Sequence, residues 1–182
     1  MDNLKPEIAL AFSEICLSCG MCCDGTLFSK AAIRDQAEEA IAHNSGFETF
    51  MEDQGDRFFK LPCPHFKGCC SIYDRDRPQI CGNYFCKPLI KAQKGKISID
   101  SARKTVEQTL SLRSELLKAA SEIEAFKDHT IAELMNEIHP LPTERLKEHR
   151  ELWIKLIGFT AARAQIAGNR NLQDATDMKK HQ

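Results

Sequence analysis

Nine cysteines lie within the first 86 residues of this 182-residue chain, and none follows. They are Cys16, Cys19, Cys22, Cys23, Cys63, Cys69, Cys70, Cys81 and Cys86. The count is odd and two pairs are vicinal, an awkward set for a disulfide framework. The opening Met1-Asp2-Asn3-Leu4-Lys5-Pro6 lacks the charged-then-apolar pattern of an export signal. The expected setting is therefore the cytoplasm, where thiols stay reduced. Reduced cysteines two residues apart in glycine-bearing turns can aim their sulfurs at one metal, which takes about four ligands at roughly 2.3 Å. Cys16-x2-Cys19-x2-Cys22 offers that spacing twice. Cys22 and Cys23, as direct neighbours, point apart, so one of them belongs to another site or is spare.

The second block supplies Cys63, Cys69 or Cys70, Cys81 and Cys86. The blocks could each close one four-thiolate site, or share ligands between two. Charge favours convergence. Residues 1–56 hold eleven acidic and three basic residues, whereas residues 57–91 hold seven basic residues against Asp74 and Asp76. A four-thiolate zinc site carries about −2, which nearby cations and N–H donors offset. The expectation is that the second block folds over the first. His65 could replace a thiolate; His43, His129, His139, His149 and His181 are scattered and read as surface. Tyr73, Arg77 and Pro78 read as shaping the turn, with Arg77 able to bridge carboxylates or thiolates.

Between and beyond the cysteines the pattern is helical. Residues 4–15 suit a short amphipathic helix with Pro6 in its first turn. Thr26, Leu27 and Phe28 suit a short extended segment, and residues 33–43 a helix ending near Asn44-Ser45-Gly46. Residues 47–62 read as loop. Past Cys86, Asp100 or Ser101 can cap a long helix running to about Lys127. Thr130-Ile131-Ala132-Glu133 is a capping-box pattern opening a helix that stops before Pro140. A third helix starts at Thr143, carries Leu146, Leu152, Trp153, Leu156, Ile157 and Phe159 as core, and stops at Gly168-Asn169. The expected fold is mainly α. An irregular cysteine-rich metal-stabilised core with flanking helices spans 1–98, a helical extension packs on it over 99–169, and 170–182 forms a disordered tail.

Composition excludes several classes. Hydrophobic residues make up 42%, enough for a real core, and the net charge of −1 points neither to nucleic acid nor to an anionic membrane. No apolar run approaches the roughly 20 residues of a membrane span. No phosphate-cradling glycine loop, Gly-x-Ser-x-Gly elbow or His-Glu-x-x-His pair is present, so reading the chain as an enzyme has little support. The expected partners are a metal ion and a protein docking on the C-terminal helices.

The order Cys16-x2-Cys19-Gly20-x-Cys22-Cys23, Cys63-Pro64, Cys70-x-Ile72-Tyr73 and Arg77-Pro78-x2-Cys81-x4-Cys86 resembles the CxxCxxCC cysteine-cluster (YkgJ-type) zinc- or iron-chelating domain family, which is mostly bacterial. The resemblance spans residues 16–86. It implies eight metal-ligating cysteines, Cys16, Cys19, Cys22, Cys23, Cys63, Cys70, Cys81 and Cys86, with Cys69 as the extra one. Gly82 stands where the family often has Arg, and Tyr84 where many members have Phe. The resemblance implies zinc or iron; cysteines gathered where regular secondary structure is sparse lead to the reading that the metal mainly organises the fold. An iron–sulfur redox centre is the alternative. Some flagellin lysine methylases also resemble this family, which adds a protein-modification reading, although no methyl-donor-binding motif is visible here.

Overall fold

The computed structural model describes residues 6–53, 55–137 and 147–167, which fall into two compact units. Of the described residues, one holds Cys16–Phe85; the other holds those from Pro6 to Ile15 together with the segment that starts at Cys86. The fold is mainly α, with seven helices and one small sheet among the described residues. No described helix is long and apolar enough to cross a membrane.

Helix α1 (Pro6–Cys19) runs four residues further than its apolar periodicity suggests. Cys16 and Cys19 are compatible with helix, and the breaker is Gly20, which takes a positive φ of 62°. Two cysteines of the first block therefore sit on the last helical turn rather than in a loop.

In the first unit, residues 24–29 are bends and irregular chain, and the extended segment expected at Thr26–Phe28 lies instead at β1 (Lys30–Ile33). Ile33 ends that strand, so α2 (Gln36–Asn44) starts later than its apolar spacing implies. Asp35 caps it by accepting from the Glu38 N–H at 2.9 Å. The expectation of loop over 47–62 is overturned: β2 (Thr49–Met51) and β3 (Arg57–Lys60) lie there. The sheet is antiparallel in the order β1-β3-β2, pairing Lys30 with Lys60 and Thr49 with Phe59. Successive strand residues face opposite ways. Phe59 joins Ile33, Ala42, Phe47 and Ile72 in the core, its ring 4.6 Å from that of Phe47. Phe58 packs on the other face against Phe50, with the Lys30 ammonium 4.0 Å from its ring centre. Both faces of the central strand are thus covered, which removes the alternation by which a strand is recognised. A four-residue helix, α3 (Ile80–Asn83), completes this unit.

In the second unit, α4 (Lys87–Gln93) opens with Pro88 in its first turn. Helix α5 (Ile99–Ser121) is capped by Ser98, whose hydroxyl accepts the Ser101 N–H; the cap is neither Asp100 nor Ser101. The helix stops at Ser121, short of Lys127, and turns carry the chain to Thr130. There the expected capping box forms and opens α6 (Ile131–Asn136). Helix α7 (Arg150–Ile166) is described from Arg150 on; Thr143, Leu146, Pro140, His139, His181, Gly168-Asn169 and the 170–182 tail lie outside the described residues. Leu116, Ala120, Phe126, Ile131, Leu134, Leu152, Trp153, Leu156 and Phe159 form the core of this unit. Phe126 meets Trp153, His129 and His149 edge-on at 5.4–5.6 Å, so these two histidines belong to the rim of the core. Ile157 was expected in that core but is 62% exposed, as is Ile154 at 58%.

Candidate metal centre

The first cysteine block is a knuckle built on Gly20. The Gly20 carbonyl accepts the N–H groups of Cys23 at 2.8 Å and Asp24 at 3.0 Å, and Leu27 N–H closes onto the Met21 carbonyl at 2.9 Å. The Asp24 carboxylate accepts the Thr26 N–H at 2.8 Å. Met21 and Leu27 are buried and pin the turn from beneath.

The second block lands on that knuckle. Cys63 donates its N–H to the Cys23 carbonyl at 2.6 Å, and Leu61 donates to Ser29 at 3.0 Å. A tight reversal follows, in which Phe66 bridges to Cys70 and Ser71 N–H meets the His65 carbonyl at 3.0 Å. The Phe66 ring lies over Gly20 so closely that a β-carbon there would be 1.8 Å from its Cζ. Gly20 is thus required twice, for its φ and for this approach. Cys81 sits on α3, its N–H donating to the Pro78 carbonyl at 2.9 Å.

Four thiols from both blocks, those of Cys23, Cys63, Cys70 and Cys81, all act on one another electrostatically, while half-buried Cys19 acts on Cys23. The Cys23 thiol is pushed up to about 12, first by burial and then by Cys63, Cys70, Asp24 and Cys19. The Cys81 thiol is likewise pushed up to about 12 by burial, then by Cys23 and Cys63; Arg77 pulls it down and Cys70 adds a further rise. Cys81 as a residue is exposed, while its thiol is surrounded by enough protein to be desolvated. Burial raises Cys63 too, Cys70 adds to it, and the N–H groups of His65 and Phe66 draw it back down. Those two donors are the partners a metal-bound thiolate needs. The guanidinium of Arg77 stacks 4.1 Å from the Tyr73 ring centre, which holds the cation near Cys81.

The remaining predicted ligands are placed differently. Cys16 is exposed, and Cys22 is half-buried in the knuckle. Cys86 lies in the second unit, buried at the N-terminus of α4. Burial raises its thiol, and the Leu89 N–H draws it down without forming a regular cap. Cys69 is exposed. None of the nine is in a disulfide. The His65 ring meets the Ser45 carbonyl through Nε2 and stands edge-on to Phe47 at 5.3 Å, a structural engagement. The basic residues of the second block are not all spent on thiolates: Arg57 pairs with Glu39 at 2.8 Å and Lys60 with Glu48.

Among the described residues, no three histidine, cysteine, aspartate or glutamate side chains stand in a metal-ligating arrangement. The four sulfurs influence one another electrostatically without forming such an arrangement. The donor set nevertheless suits a soft or borderline cation: four thiols, two N–H donors on one of them and a guanidinium beside another. With pKa values this high, Cys23 and Cys81 carry their protons at neutral pH, and a metal would have to displace them. Comparison with protein-family models, with curated proteins and with solved structures gives no match to this chain.

Proposed function

We propose that this chain is a thiolate metal-chelating protein of the CxxCxxCC cluster type. In this reading Cys23, Cys63, Cys70 and Cys81 hold one zinc or iron centre whose main work is to organise the first unit. The supporting observation is the convergence of sulfurs from both cysteine blocks, tied by the Cys63 N–H to the Cys23 carbonyl. A closed thiolate centre adds on the order of 10 kcal/mol of apparent binding energy to folding. That suits a unit whose strands are three or four residues long and whose last helix has four. Cys16, Cys19 and Cys22 remain as donors beyond this quartet. A reducing, cytoplasmic setting belongs to this reading, because thiolate ligation requires reduced cysteines. Exposed Ile154 and Ile157 on α7 suit a protein partner.

The test is anaerobic purification with metal and sulfide analysis and an absorption spectrum. A colourless protein with stoichiometric zinc, whose first unit unfolds on chelation, is the expected result. Brown colour with equimolar iron and sulfide assigns the centre to an iron–sulfur cluster instead. A folded protein that holds no metal and takes none up from a competing indicator refutes the reading.

A further inference from the structure

Glu38 is a charged residue only 5% exposed, and it stands on the first turn of α2. One carboxylate oxygen accepts the Arg34 N–H at 2.8 Å, at the end of β1. The other accepts the N–H of Gln79, 41 residues away. The first bond is local: it extends the helix cap that Asp35 begins and ties α2 to the residue that follows β1. The second has no role in α2. Gln79 precedes α3, and its carbonyl receives the N–H groups of Gly82 at 3.0 Å and Asn83 at 2.9 Å. Holding Gln79 therefore holds the single turn that carries Cys81. A helix of four residues cannot orient itself, because one turn does not offset its own nucleation. Its direction must come from outside, and burying a carboxylate is a costly way to provide it unless the position matters.

We infer that Glu38 is a positioning residue for the thiolate centre, bracing the Cys81 turn against the β1–α2 corner so that Cys81 faces Cys23, Cys63 and Cys70. The inference rests on the chelating function proposed above. Arg77, two residues before Gln79, stacks on Tyr73 at 4.1 Å in the chain that leads into this turn. Glutamine cannot replace the carboxylate: it has one acceptor oxygen for two backbone donors.

The experiment uses the reduced full-length chain, loaded with Co²⁺ or Zn²⁺ under anaerobic conditions and treated with iodoacetamide, with each cysteine read by peptide mass spectrometry. In the unmodified protein, metal should protect Cys23, Cys63, Cys70 and Cys81. In Glu38→Gln, Cys81 alone should lose protection, alkylating at least about tenfold faster, while the other three stay shielded. The Co²⁺–thiolate charge-transfer band should fall by about a quarter, one thiolate in four. Gln79→Pro probes the bond from the other end and keeps the test available if Glu38→Gln fails to fold. It deletes the N–H, together with the Gln79 side chain, at a residue whose φ of −59° already suits proline. Protection of Cys81 unchanged in a metal-loaded variant overturns the inference and leaves the chelating function standing. An unmodified protein that takes up no metal overturns both.

Discussion

Replacing Gly20 by alanine tests whether the two cysteine blocks are locked together as described. Two separate penalties apply. Alanine at a φ of 62° costs about 1–2 kcal/mol, because its β-carbon crowds the following carbonyl. The same β-carbon would lie 1.8, 2.4 and 2.7 Å from three atoms of the Phe66 ring, so the ring must leave. Overpacking of that kind costs about 1–3 kcal/mol. The sum, about 2–5 kcal/mol, is a large share of what holds a small domain together. Trp153 fluorescence would miss it, because that residue sits in the core of the other unit. The suitable reporters are the Cys63 and Leu27 amides, which bond to Cys23 and Met21. Their hydrogen exchange should speed up by roughly 30-fold or more in reduced, metal-free protein. Phe66→Ala separates the two penalties. In that background Gly20→Ala should cost only the backbone part, leaving a coupling of about 1–3 kcal/mol between the sites. An equal cost in both backgrounds would refute the Phe66 contact, and no change in exchange at Cys63 would refute the knuckle itself.

The proposed quartet predicts that Cys70→Ser and Cys81→Ser abolish tight metal uptake while Cys69→Ser leaves it intact, as measured by competition with a zinc indicator. In the second unit, Leu156 has no exposed surface, so Leu156→Ala should cost about 2–5 kcal/mol in urea unfolding followed by Trp153 fluorescence. Thr130→Ala should cost about 1 kcal/mol by removing the α6 cap, read from exchange of the α6 amides. Glu133 adds a pH signature at the same cap. The Thr130 N–H, and then its hydroxyl, hold the Glu133 carboxyl below its ordinary 4.5. A depressed folded pKa gives stability that is present above the unfolded value and lost as pH falls through the folded one. Protection of α6 should therefore decline below about pH 4.5, and Glu133→Gln should flatten that decline.

What the sequence disclosed follows how local each cause is. The Thr130–Glu133 box and the long apolar face of α5 are written within a few residues, and both form. Ser98 caps α5 although its neighbours Asp100 and Ser101 are equally suitable by residue type, because cap chemistry alone does not choose among three candidates within one turn. The strands failed for a different reason. Phe58 and Phe59 are adjacent and both buried, so β3 shows no alternation, and β1 and β2 are too short to display a period. Convergence of the two cysteine blocks was legible from charge, yet charge is only part of its cause. Arg57 and Lys60 pair with Glu39 and Glu48, and the blocks meet through a backbone hydrogen bond and a ring resting on a glycine. Glu38 was illegible altogether. A glutamate in the first turn of a helix reads as a solvated cap, and nothing near it announces a second partner 41 residues away. That silence carries its own argument: local rules account for one of its two oxygens, and the Cys81 turn alone accounts for the other.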